Sequence, residues 1–129
     1  MHSARNHIAG AARAAAAALV VAAALALPAS AAALEPIEGT WAYQGGRVLV
    51  EPTGPGTFKG TVTRPTRFLA CDHPLGERMW SLSGGGATYT GTHQWFTEPE
   101  CAPAPGGAAR WTVRETAEAL LLDFCTAPP

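Results

Sequence analysis

The stretch ATYTGTHQWF (87–96) decides the class of this chain. Tyr89, Gly91, His93 and Trp95 fall on one face of an extended segment, and Thr88, Thr90, Thr92 and Gln94 on the other. That period of two belongs to a half-buried strand and not to a helix. Threonine and aromatic residues, which suit a pleated surface, make up most of it. Gly84-Gly85-Gly86 supplies a turn before it, and the Pro/Gly-rich TEPECAPAPGGA (97–108) reads as loop after it.

Working outward, the same texture repeats. GTWAYQ (39–44) puts Trp41 and Tyr43 on one face, and Gly45-Gly46 reads as a two-residue hairpin turn. RVLVE (47–51) stops at Pro52, TGPG (53–56) turns, and TFKGTVT (57–63) alternates again with Phe58 and Val62 on one side. Arg64-Pro65 bends or ends that run, and TRFLAC (66–71) either continues it or forms a separate edge piece. DHPLGE (72–77) is a loop, RMWSLS (78–83) a further strand, and ARWTVRE (109–115) with ALLLDFC (119–125) the closing pair. ETAEALLL is too short and too strand-flanked to prefer as a helix. The expectation is an all-β fold, a small up-and-down antiparallel meander or barrel of about seven strands. Alternating strand directions bring Cys71, Cys101 and Cys125 to one end of the sheet, built from the 72–77 and 97–108 loops.

Ahead of this region the chain changes character. Residues 1–33 carry Arg5 and Arg13 and no acidic residue, then the unbroken apolar run AAAAALVVAAALAL (14–27) ended by Pro28. Small residues at Ala29-Ser30-Ala31 and Ala31-Ala32-Ala33 complete the three-part order of a secretory signal peptide, expected to be helical and cut after Ala31 or Ala33. An uncleaved anchor would need a more hydrophobic run and a basic stop-transfer cluster after it, and Pro28 and Ser30 interrupt this one. The reading is therefore a signal peptide over 1–33 and a single small β domain over 34–129, secreted to the extracellular side.

Removing the leader leaves 7 basic and 10 acidic residues, a net charge near −3 (7 − 10) against −1 for the whole chain. No basic patch remains to attract nucleic acid, and contact with a membrane is expected only through the signal peptide during export. Eight arginines against one lysine, with abundant Ala, Gly and Pro, point to a GC-rich bacterial source. A domain of this size buries only a modest part of its surface, so a disulfide is useful to it. All three cysteines lie in the exported part, where one bridge is favoured, but spacing does not choose the pair.

The start Gly39-Thr40-Trp41 resembles the Gly-x-Trp opening of the calycin barrels: lipocalins, avidins and the small bacterial protease inhibitors. GTWAYQGG (39–46), GTV (60–62) and TGTHQWF (90–96) are also similar to avidin-type strands. The resemblance implies an up-and-down barrel with a ligand mouth or an inhibitory end. It carries no residue role across, because the arginine that lipocalins place near the last strand is missing from ALLLDFC. A secreted bacterial family of similar strand texture would leave the function open.

Chemistry-bearing residues are few. His73 and His93 are the histidines of the exported part, and Asp72, His73 and Glu77 share one loop. Asp72-His73 is a possible pair of metal ligands without the third and fourth that a site needs, so no metal and no cofactor are expected. A turn after Cys71, with Asp72 bonding local backbone, explains the same residues. His93, between Gly91 and Trp95, reads as a core histidine wanting a partner such as Tyr89 or a serine. Ser81 and Ser83 have no nucleophile-elbow context, and an odd cysteine in an oxidising compartment is structural rather than catalytic. Glu77, Glu98 and Glu100 approach one end, as paired carboxylates of a glycosidase would, with nothing further in support. No catalytic residue is assigned.

The remaining candidates are aromatic. Trp41, Tyr43, Trp80, Tyr89, His93 and Trp95 form either the core or a surface that grips an apolar ligand or a sugar ring. The leading expectation is a secreted, non-enzymatic β domain binding a small ligand or an extracellular protein. The alternatives are a structural protein of the cell envelope, or a small hydrolase using His73 with Asp72 or Glu77.

Overall fold

Alternation of apolar and polar residues becomes alternation of burial. Along Thr88–Thr97, Tyr89, His93 and Trp95 are buried while Thr88, Thr90 and Thr92 are exposed. The computed structural model describes residues 34–129 and the backbone of Ala4–Ala9. Among the described residues ten strands follow one another: β1 (Ala4–Ala9), β2 (Gly39–Tyr43), β3 (Gly46–Gly54), β4 (Thr57–Arg64), β5 (Thr66–Phe68), β6 (Cys71–His73), β7 (Arg78–Gly85), β8 (Thr88–Thr97), β9 (Ala102–Glu115) and β10 (Leu120–Thr126). The main sheet runs β1-β10-β9-β8-β7-β4-β3-β2, antiparallel at every step. Seven of its strands, β2 to β4 and β7 to β10, belong to residues 34–129 and form the expected meander, curled into a half-barrel. The helix expected for the leader falls on residues outside the described ones, except that Ala4–Ala9 are strand.

The β2–β3 turn is one residue earlier than the dipeptide Gly45-Gly46 implied. Tyr43 pairs with Gly46, so the turn residues are Gln44 and Gly45, with φ of 46° and 78°. Positive φ at both central positions is what a strand-compatible two-residue turn requires. Gly46 serves packing instead: a Cβ there would overlap the carbonyl oxygens of Arg64 and Pro65. This close approach is where the chain leaves the sheet, because β5 and β6 form a separate two-stranded hairpin between β4 and β7. TRFLAC is thus an inserted piece and not an extension of β4.

The segment 97–108, expected to be loop throughout, is a turn only as far as Cys101. β9 starts at Ala102 and pairs Ala102, Pro103 and Ala104 with Thr97, Phe96 and Trp95. The prolines are tolerated because β10 reaches only as far as Ala109, so this stretch of β9 is a sheet edge with no ladder bond to lose. The interior is aromatic. Trp80, Trp111 and Phe124 sit with ring centroids 5.5 to 5.7 Å apart, and Tyr43 meets Trp80 and Phe124 edge-on, each at 5.7 Å. Such edge and tilted contacts suit the ring quadrupoles, and these rings pack closely against one another inside the curled sheet.

Candidate binding end

One end of the half-barrel collects the irregular segments: the Gln44–Gly45 turn, the β5–β6 hairpin, the 74–77 turn and the 98–101 turn. The hairpin folds back over this end because its alternate residues Thr66, Phe68, Cys71 and His73 are buried while Arg67 and Asp72 face out. The Thr66 hydroxyl donates to the Tyr43 carbonyl, and the Arg67 amide donates to Gln44 O at 3.4 Å. Phe68 packs on His93 (4.5 Å) and edge-on to Trp95 (5.0 Å). A Cys71–Cys101 disulfide ties the hairpin to the 98–101 turn, and Glu98 accepts the Ala70 amide at 3.2 Å.

Two of the three cysteines therefore meet where the meander brings them. Cys125 does not join them. It lies outside the bridge, exposed on β10 opposite Arg110, which is itself opposite Thr90 near the start of β8. The reason is length: β8 and β9 run well past the end of β10 before they turn.

Beneath the hairpin lies a small polar island. His73 Nδ1 is 3.0 Å from Glu77 Oε2, and the His73 and His93 rings meet edge-on at 5.2 Å. Both imidazoles are buried, and Phe68, Phe96, Tyr43 and Phe124 surround them. Burial holds His73 down to about 4, against a smaller upward pull from Asp72. Burial likewise holds His93 down to about 3, helped by the neighbouring His73 and opposed by the Gln94 backbone. Burial pushes the Glu77 carboxyl up to about 7. Neutral imidazoles are the form an apolar enclosure favours.

Asp72 is on the other face of the hairpin, with its carboxylate 2.9 Å from the Arg67 guanidinium. Adjacent residues of a strand point to opposite sides, so Asp72 and His73 do not face a common ion. Among the described residues no group of three His, Cys, Asp or Glu is placed to hold a metal. Glu77 is committed to His73, Glu98 to Ala70, and Glu100 is exposed in the turn. The aromatic candidates Trp41, Tyr43, Trp80, Tyr89, His93 and Trp95 are brought together in the interior, none more than 6% exposed. The Trp41 indole donates to Ile37 O (2.8 Å), that of Trp95 to the Thr126 hydroxyl (3.1 Å), and the Tyr89 hydroxyl to Gly86 O (2.8 Å).

Two residues of this end bear no functional mark in their local sequence. Leu69, at the hairpin tip with φ 56°, is 52% exposed, and Leu75, in the turn after β6, is 68% exposed. With Leu34 they are the large apolar side chains left exposed among the described residues. One cue was present: Leu69 follows the in-out order Thr66, Arg67, Phe68, and so falls on an outward position. A shallow groove of about 310 Å³ also lies on the outer side of β4, β7 and β8, lined by Thr57, Arg78, Ser81, Ser83, Thr90 and Thr92 among others. Comparison with protein families, curated proteins and solved structures finds no match to this chain.

Proposed function

We propose that this chain is an exported, non-enzymatic β domain that holds an extracellular partner protein against its disulfide-stapled end. The observation that carries the reading is the contrast between interior and end. The aromatic side chains that would line a ligand mouth are spent on packing, whereas the end displays Leu69 and Leu75 on a cross-linked frame. Apolar side chains exposed on a rigid support suit a protein surface, because little ordering entropy remains to be lost on binding. Exposed Glu100 and the exposed Asp72–Arg67 pair, on the turn and hairpin of the same end, supply polar groups for a rim. The disulfide is compatible with the extracellular compartment that the leader implies. His73 is enclosed under the hairpin and paired with Glu77, which supports a structural role over a hydrolytic one.

The test is capture of partners from the extracellular and envelope fractions of the source cells by the immobilised protein. It is run beside a Leu69→Asp/Leu75→Asp variant and a Thr90→Asp control on the outer face. The expected result is a discrete partner retained by the parent and the control and lost at least tenfold with the double variant. Equal retention by all three would remove the stapled end as the binding surface. Both leucines are exposed, so the variant should keep the parent's thermal stability.

A further inference from the structure

The half-barrel built from residues 34–129 ends on two edges, β2 and β10, and the structure shows what fits between them. Six residues of the N-terminal segment, Ala4–Ala9, pair antiparallel with β10 from Ala4 opposite Thr126 to Ala9 opposite Leu121. The same segment comes within 8 Å of β2, Cα to Cα. One strand therefore occupies the slot between the edges. On the export reading proposed above, these six residues leave with the leader. The β10 backbone groups that β1 satisfies would then be uncovered, as an unpaired edge of the kind proteins normally cover or blunt.

The geometry points to a strand-accepting site: in the processed protein, the slot between β10 and β2 takes up an extended segment of a partner polypeptide, pairing antiparallel to β10. Main-chain hydrogen bonds would supply the affinity, and alternate side chains the selectivity. The inward residues beside the slot are Leu122 and Phe124 on β10 and Trp41 and Tyr43 on β2, so the segment should carry apolar or small residues at alternate positions. A second folded copy does not suit the slot. Its edge strand arrives with its own sheet attached, whereas the opening between β10 and β2 is one strand wide. A free extended segment of about six residues does suit it. The leader segment acts as an internal guard, keeping the edge covered until it is removed.

The test opens the slot without cleavage, so it separates failure of this site from failure of the export reading, and it leaves Leu69 and Leu75 untouched. In the full chain, Asn6→Pro and Ile8→Pro remove amide donors from the guard strand and leave residues 34–129 intact. The probe is a fluorescent synthetic peptide of residues 3–10, SARNHIAG. Fluorescence anisotropy should show saturable binding to the proline variant, at least tenfold tighter than to the parent, whose own strand competes. A folded proline variant that binds no peptide overturns the proposal, and one that instead dimerises without peptide uptake overturns the choice of occupant. A second measurement does not depend on the proline variant folding. Arg5 is opposite Cys125 in the register and Asn6 is opposite Phe124, so a full chain with Arg5→Cys should bridge position 5 to Cys125 at least tenfold faster than an Asn6→Cys chain bridges position 6 to it. Equal rates would mean that the segment is not seated on β10, and would also overturn the site.

Discussion

His73, His93 and Glu77 are buried titratable groups pulled in opposite directions, and that makes the fold sensitive to pH. The imidazoles are held near 4 and 3 against an ordinary 6.5, so the unfolded chain accepts protons that the folded chain refuses. Their share of stability is whole above pH 6.5 and is lost as the pH falls from there through 4 and 3. Glu77 works the other way. Its folded value near 7 exceeds the ordinary 4.5, so its share is whole below 4.5 and is lost as the pH rises through 7. Two imidazoles oppose one carboxyl, so thermal unfolding followed across pH should show a plateau near and above 7 and a steep fall below 6. For His93 the loss between pH 7 and 4 is roughly 3 kcal/mol, since each tenfold difference in proton affinity between folded and unfolded chain is worth about 1.4 kcal/mol. His93→Phe keeps a ring against Phe68 and Phe124 and removes the buried nitrogens, so it should flatten the acid side of that profile. An acid limb as steep as the parent's would show that His93 is not its source. Gly46 gives a second prediction at this scale. The atoms in the way of a Cβ are backbone carbonyls that anchor the start of the hairpin, so Gly46→Ala should lower stability by about 2 kcal/mol or more in urea titration.

The β5–β6 hairpin is the element on which the candidate end depends, and its hold on the sheet is partly covalent. The bridge closes a separation of 30 residues, for which loop entropy gives roughly 3–4 kcal/mol. Cys101→Ser should lose about that much in urea titration, and the parent should lose the same amount in reductant while the variant changes little. A matching loss in both proteins on adding reductant would place the effect elsewhere. The strands of the meander were legible because each spans enough residues for a period of two to repeat, as β8 and β4 do. TRFLAC was ambiguous because strands of three residues, as in β5 and β6, complete barely one period. The 97–108 segment was misread because proline was weighed as a breaker, while its freedom at an edge depends on where β10 stops. That point is set by the β9–β10 register, which no local pattern carries. The same register separates Cys125 from the other two cysteines. At the candidate end, strand direction alone brought Cys71 and Cys101 together, but it wrongly placed Cys125 with them. The pairing of His73 with Glu77 rather than Asp72 was not, since it needs the hairpin's two faces to be known. The exposure of Leu69 had one cue in the in-out order of Thr66, Arg67 and Phe68, whereas that of Leu75 was hidden, because an apolar residue in a turn gives no sign of what covers it.

At the scale of the whole chain, the set of residues that the working protein contains decides both the charge and the sheet. With residues 1–33 the chain is near −1, and without them it is near −3, from 7 basic and 10 acidic residues. With Ala4–Ala9 the sheet has eight strands, and without them the seven-stranded half-barrel presents β10 as an edge. Intact-mass analysis of the protein recovered outside the cell addresses both together. The expected species begins at Ala32 or Leu34, the two positions that follow the small-residue cleavage patterns. Alkylation without reduction should add one label, at Cys125, and alkylation after reduction should add three. A recovered form that retains residues 14–27 would overturn export by cleavage and leave β1 as a permanent eighth strand. A processed form that takes three labels without reduction would instead remove the staple, and with it the rigidity on which the proposed partner-binding end rests.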